Sequence, residues 1–263
     1  MDLVVENKHV VAFTHGRDFD RQRPSMVFVH GAGMDHSVWA LQARYFAHHG
    51  ANAIALDLPG HGRSDGPPKT SIGAMADWLA AVIAALAVPR VTLVGHSMGA
   101  LICLETAAVH GDKVEGLALL GVSPAMPVHP ALLDAAAANQ PLAHELVASW
   151  GHGPAGHVGG NRLPGGWLMG HALQLLAKAP KDVLHTDLAA CHAYDNGLTA
   201  AKAVGCPALV IGGGEDRMTP ARRGAELAAA IPDARLVTLE GAGHLMLVEQ
   251  PDQTLDALIA AFG

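Results

Sequence analysis

The sequence predicts an α/β fold: a mainly parallel eight-stranded sheet with helices on both faces and a helical cap inserted after the sixth strand. Three observations carry this expectation. Apolar runs alternate with amphipathic stretches through the first half of the chain and again beyond residue 205, as a parallel sheet with crossover helices requires. The alternation stops between residues 123 and 204, where no convincing strand occurs and four helical stretches follow one another. Residues 91–110 read as strand, sharp turn and helix, with Ser97 at the apex.

Taken in order, residues 4–5 and 10–13 are two valine-rich strands separated by Glu6-Asn7-Lys8, so they form an antiparallel edge. Residues 17–24 are a polar loop. The run 26–29 is continuously apolar, the mark of a strand buried on both faces, and ends at His30-Gly31-Ala32-Gly33. A helix over 41–49 and a strand over 52–58 follow. The strand is closed by Pro59-Gly60-His61-Gly62-Arg63-Ser64, which no helix can cross. Ser71 caps a helix whose apolar residues Ile72, Met75, Leu79, Ile83 and Leu86 recur at spacings of three and four. Strands at 91–94 and 114–120 flank the serine turn and its helix. The insertion holds helices over 130–139, 141–150, 167–179 and 181–194, with the Gly- and Pro-rich stretch 151–166 as a loop. A strand at 208–211 leads into Gly212-Gly213-Gly214-Glu215-Asp216. Thr219 is expected to cap the next helix, with Pro220 in its first position. The last strand, 235–239, runs into Gly241-Ala242-Gly243-His244, and Pro251 opens a final helix. The expected division is a core domain of residues 1–122 and 205–263 and a cap of residues 123–204.

Composition narrows the function. Of 263 residues half are hydrophobic and 16% charged, which suits a globular domain with a sizeable core. The formal net charge is −7 and Lys and Arg are scattered, which argues against nucleic acid and anionic membrane as partners. The first residues lack an apolar signal core, and no stretch is long and uncharged enough to span a bilayer. Cys103, Cys191 and Cys206 are an odd count at unrelated spacings, expected as buried, reduced thiols in a cytoplasmic protein.

The chemistry concentrates in Gly95-His96-Ser97-Met98-Gly99. A serine in so tight a turn has a strained backbone, and side chains at 95 and 99 would collide with strand and helix, so both are Gly. A serine hydroxyl needs a base, and the base an orienting acid. Among 17 His, position selects His244, which follows the last strand; Asp216 follows the strand before it, on the same edge of the sheet. The oxyanion donors expected are the N–H groups of Met98, at a helix N-terminus, and of Ala32, with Gly33 as the alternative.

These motifs resemble those of the α/β-hydrolases: His30-Gly31-Ala32-Gly33, Asp57-Leu58-Pro59-Gly60-His61-Gly62-Arg63-Ser64, Gly95-His96-Ser97-Met98-Gly99, Asp216 and Gly243-His244, in the order serine, acid, histidine. The resemblance spans nearly the whole chain outside the cap. It implies a single-domain hydrolase with a helical cap, and it covers esterases, lactonases, thioesterases, carbon–carbon bond hydrolases, perhydrolases, lyases and hormone receptors. Ser97 stands where a haloalkane dehalogenase would have Asp, and Ala32-Gly33 replace the aromatic-Pro pair usual in perhydrolases.

The expected function is therefore a serine hydrolase of a small carboxylic ester or lactone, with Ser97 as nucleophile, His244 as base and Asp216 orienting it, and with no cofactor. The alternatives are a carbon–carbon bond hydrolase or lyase with the same residues, and a ligand receptor that retains the triad. Trp150, Trp167, Met169 and Tyr194 are candidates to line the substrate pocket. The seven cap histidines match no metal-ligand spacing, so no metal is expected. The expected partner is a small-molecule ester or lactone, and the expected assembly a monomer or homodimer.

Overall fold

The computed structural model of the chain describes residues 1–157 and 166–263. Eight strands form one sheet: β1 (Asp2–Val5), β2 (Lys8–Phe13), β3 (Ser25–Val29), β4 (Asn52–Leu56), β5 (Val91–His96), β6 (Val114–Leu120), β7 (Ala208–Gly213) and β8 (Ala234–Leu239). Their spatial order is β1-β2-β4-β3-β5-β6-β7-β8. β1 and β2 are the antiparallel edge; β3 to β8 run parallel. Every residue of β3, β4, β5 and β7 is buried, which is why these strands are apolar throughout instead of alternating.

Helices cover both faces. On one, α2 (Ile72–Leu86) and α3 (Met98–Val109) pack through Trp78, Leu79, Leu101 and Leu104. On the other lies α1 (Ala40–His48), its preceding turn burying Trp39 beside Phe28 and Phe46. Side chains this large are worth about 1.5–3 kcal/mol each when taken out of water. Ser71 caps α2 by accepting the Ala74 N–H at 3.2 Å, as expected.

Between β6 and β7 the chain makes α4 (Pro130–Ala137), α5 (Pro141–Gly151), α6 (Leu168–Lys178), α7 (Val183–Ala193) and α8 (Gly197–Ala203). The first four match the expected cap helices and share a cluster of their own, with Leu132, Val147, Leu176, Leu184 and Leu188 buried in it. Residues 158–165 of the expected loop lie outside the described residues. The helix α8 is an addition to the sequence reading. Its Ala200 and Ala201 are buried in the main core against α3, and Gly197 abuts the Pro124 carbonyl so closely that a Cβ there would collide with it.

After β7 come α9 (Ala221–Ala230), α10 (Met246–Glu249) and α11 (Pro251–Phe262). The expected cap of α9 is corrected: Pro220 occupies the cap position and Thr219 makes no capping bond, because its hydroxyl is held by Asp216.

Candidate active site

The serine turn has the geometry its glycines imply. Ser97 sits at φ 54° and ψ −119°, a conformation that L residues rarely adopt. A Cβ on Gly95 would strike the Gly99 carbonyl, and one on Gly99 would strike the Val29 and His30 carbonyls. The turn therefore packs backbone against backbone. Ser97 N–H donates to the Leu120 carbonyl at 2.9 Å, tying the turn to the end of β6.

His244, in the loop after β8, is 3% exposed. Its Nδ1–H donates to Asp216 Oδ2 at 2.9 Å. Asp216 also receives the N–H groups of Met218 and Thr219 on Oδ1, both at 2.8 Å, and the Thr219 hydroxyl on Oδ2 at 2.7 Å. Burial alone would raise its pKa; the His244 charge and these hydrogen bonds outweigh it and hold the carboxyl below its usual range. An anchored carboxylate of this kind fixes the imidazole tautomer with Nε2 free to accept a proton. Ser97 and His244 line one cavity, with no hydrogen bond between their side chains.

The histidine loop is held from three sides. His96 Nε2–H donates to the His244 carbonyl at 2.9 Å, and burial drives the His96 pKa down to about 3, so that ring is a neutral structural donor. Leu245 N–H donates to the Gly151 carbonyl at 2.9 Å. Glu249 accepts Gly243 N–H at 3.0 Å and Gly153 N–H at 2.8 Å, joining the loop to the cap.

Across the cavity, the loop after β3 offers two N–H groups. That of Gly33 is taken by Asp187 Oδ2 at 2.8 Å. Among the described residues the N–H groups of Ala32 and Met98 have no acceptor, and both residues stand beside Ser97. Of the two N–H groups in this loop, that of Gly33 is therefore engaged and that of Ala32 is not.

The cavity holds about 140 Å³. Its cap wall is apolar, from Leu132, Val147, Trp150, Leu184 and Leu188, and His129 meets Trp150 edge-on at 5.5 Å. Arg217 lies at the rim. Three pocket expectations are corrected. Tyr194 points into the core face, donating its hydroxyl to Glu105 Oε2 at 2.6 Å. Trp167 is 59% exposed and lays its ring over Gly170. Met169, between the buried Leu168 and Gly170 on α6, is not part of the cavity wall.

Sequence reasoning missed one buried pair. Asp187 on α7 receives His61 Nε2–H at 2.7 Å on the oxygen that also holds Gly33 N–H; both side chains are almost wholly buried. Their 126-residue separation left no local signal; the only hint was a histidine in a Gly-rich turn. Among the described residues, one group, Asp35, His36 and Asp57, gathers possible metal-ligand atoms within 4.8 Å of one another. The Asp57 oxygens there are already occupied, by His36 N–H and Nδ1–H and by Arg63 N–H, in bracing two core loops.

Fold and site together define a capped α/β enzyme with a serine, histidine and carboxylate on one edge of the sheet. A sequence profile described as the alpha/beta hydrolase family matches residues 26–257. The chain belongs to the alpha/beta hydrolase family and is an esterase-like hydrolase. It is 31% identical to the pimeloyl-[acyl-carrier protein] methyl ester esterase of Chromobacterium violaceum, over 90% of this chain and 93% of that one. It is 26% identical to the (E)-2-((N-methylformamido)methylene)succinate hydrolase of Acinetobacter baylyi, over 89% of each. A solved thermophilic esterase superposes with a TM-score of 0.82 at 26% identity, covering 99% of this chain and 95% of that one. The enol-lactonase of Burkholderia xenovorans LB400 shares the fold, with a TM-score of 0.84 at 24% identity over 99% and 98%. No helix of the described residues is long and apolar enough to cross a membrane.

Proposed function

We propose that the protein is a serine hydrolase that cleaves a small carboxylic ester or lactone through an acyl-enzyme. One observation carries the reading: Asp216 anchors His244 at 2.9 Å beside a cavity that the strained Ser97 also lines. His244 takes the Ser97 proton as Oγ adds to the carbonyl carbon. The carbonyl electron pair moves to oxygen and is met by the N–H groups of Ala32 and Met98, the latter at the positive end of α3. The alkoxide then leaves with the proton held by His244. Water, deprotonated by the same ring, attacks the acyl-enzyme, and the acid departs as Ser97 regains its proton.

Cavity size and lining support a compact, apolar acyl group. A volume near 140 Å³ suits roughly a benzene-sized fragment. The methyl ester esterase relative supports an ester over a carbon–carbon bond as the target. Three free, buried cysteines agree with a cytoplasmic setting.

The test is hydrolysis of p-nitrophenyl esters of increasing acyl length by wild type, Ser97→Ala and His244→Ala. Both variants are expected to lose at least about a thousandfold in kcat, because the residues act as a unit. Full activity in Ser97→Ala would falsify the mechanism. Faster cleavage of a β-diketone or dienoate than of any ester would move the function to carbon–carbon hydrolysis.

A further inference from the structure

We propose that Asp187, on the cap, is a positioning residue that sets the oxyanion loop, so that the oxyanion hole is complete only while the cap is docked. The inference rests on the serine-hydrolase reading above.

Three contacts from the cap converge on Gly33, the residue after Ala32. Asp187 Oδ2 accepts Gly33 N–H at 2.8 Å. Leu184 and Leu176 pack so closely over its Cα that a Cβ there would lie 2.9 and 3.1 Å from their methyl carbons. Gly33 itself sits at φ +67°, a conformation that glycine adopts without strain and that leaves room for this close packing. Holding the Gly33 N–H fixes the plane of the Ala32–Gly33 peptide. The Ala32 N–H belongs to the preceding peptide, whose Gly31 carbonyl accepts His30 Nδ1–H at 2.9 Å and Met34 N–H at 3.2 Å. The core thus sets the plane of that peptide, and the Gly33 anchor sets where the loop stands relative to Ser97.

Asp187 is itself held. His61 Nε2–H donates to Oδ2 at 2.7 Å, while His61 Nδ1 faces the Pro59 carbonyl at 3.1 Å. Both ring nitrogens thus face acceptors, the arrangement of an imidazolium. Asp187 Oδ1 is buried with no partner among the described residues. An aspartate spent only on joining cap to core would cost less if replaced by an apolar contact such as Leu184 or Leu188 already makes. Its placement instead puts one charged acceptor against the loop that carries the oxyanion donor. Moving α7 away would remove the acceptor and the leucine wall in one step, leaving the loop that carries the Ala32 N–H free to shift away from Ser97.

The expectation is a loss in kcat without a matching change in KM. Asp187→Ala should lower kcat by about tenfold to a hundredfold, the scale of a misplaced catalytic group, with KM changed by less than about threefold. The decisive readout compares two inhibitors. An alkyl trifluoromethyl ketone accepts Ser97 Oγ at its carbonyl carbon, the Ser97 proton passing to His244 and the carbonyl pair becoming an oxyanion. The matching methyl ketone binds without that adduct. In Asp187→Ala the affinity ratio of the two should fall by the same factor as kcat. Asp187→Asn keeps the shape and gives Gly33 a neutral, weaker acceptor, and its ratio should fall about threefold to tenfold; it carries the test if the alanine variant does not fold. An unchanged ratio in each variant that folds, or a loss confined to KM and melting temperature, would overturn the proposal. Ser97→Ala binding the trifluoromethyl ketone as tightly as wild type would overturn the nucleophile itself, a separate result.

Discussion

Thr219 donates its hydroxyl to the same Asp216 oxygen that holds His244, at 2.7 Å, and stands 3.1 Å from the His244 Nδ1. It thereby wedges the Asp216 carboxyl against the His244 ring. Thr219→Val keeps the shape and removes the donor, so the Asp216 pKa should rise toward its ordinary value. A carboxyl whose folded pKa is depressed contributes stability that is present above the unfolded pKa and is lost as pH falls through the folded one. The acid-unfolding midpoint of Thr219→Val should therefore move to higher pH, and kcat should fall about threefold to tenfold at neutral pH, of the order of one hydrogen bond. Acid-unfolding curves by circular dichroism, read beside ester kinetics, check both.

Gly99→Ala should be among the worst single changes available. Its Cβ enters the space of the Val29 and His30 carbonyls, which are backbone and cannot rotate away. Overpacking of this kind costs about 1–3 kcal/mol or more. Denaturant unfolding should show the loss, and activity should drop further than stability, since the strand and helix must separate around Ser97.

Trp150→Ala opens the cap wall of the cavity. The acyl-length optimum should lengthen, with kcat/KM for the shortest esters falling and that for longer ones rising. An unchanged length profile would mean the acyl group does not lie against α5.

His61 carries a pH signature. Its burial lowers the pKa, but the charge and hydrogen bond of Asp187 overcome this and raise it above 6.5; Asp57 adds in the same direction, while the neighbouring His30 ring, 4.9 Å away and itself depressed to about 4, stays neutral. A group with a raised folded pKa contributes stability that is fully present below the unfolded pKa and lost as pH rises through the folded one. Wild type should lose more melting temperature than Asp187→Asn as pH rises from 6.5 into the alkaline range. Parallel melting curves for the two would contradict a charged His61.

Tyr194→Phe should leave the kinetics within about twofold of wild type and cost about 0.5–1.5 kcal/mol of stability, the usual worth of one hydrogen bond. The lost partner is Glu105 on α3, on the core side of the fold. A changed acyl preference would return Tyr194 to the pocket.

The sequence alone determined the strand order of chemistry along the chain. Continuous apolar runs marked the buried strands, Ser71 marked the start of α2, and Gly95 and Gly99 marked a turn with no room for side chains. These features are local: each depends on neighbours within a few positions. That Asp216 and His244 meet was also legible, because a parallel sheet brings the loops after its strands to one edge whatever the helices do. The tertiary structure decided everything that depends on which distant side chain arrives. It took Thr219 from the helix cap to Asp216, turned Tyr194 toward Glu105, folded α8 onto α3, and set Asp187 between His61 and Gly33. Residues 126 positions apart share no periodicity or motif, so only packing of the cap on the core could pair them.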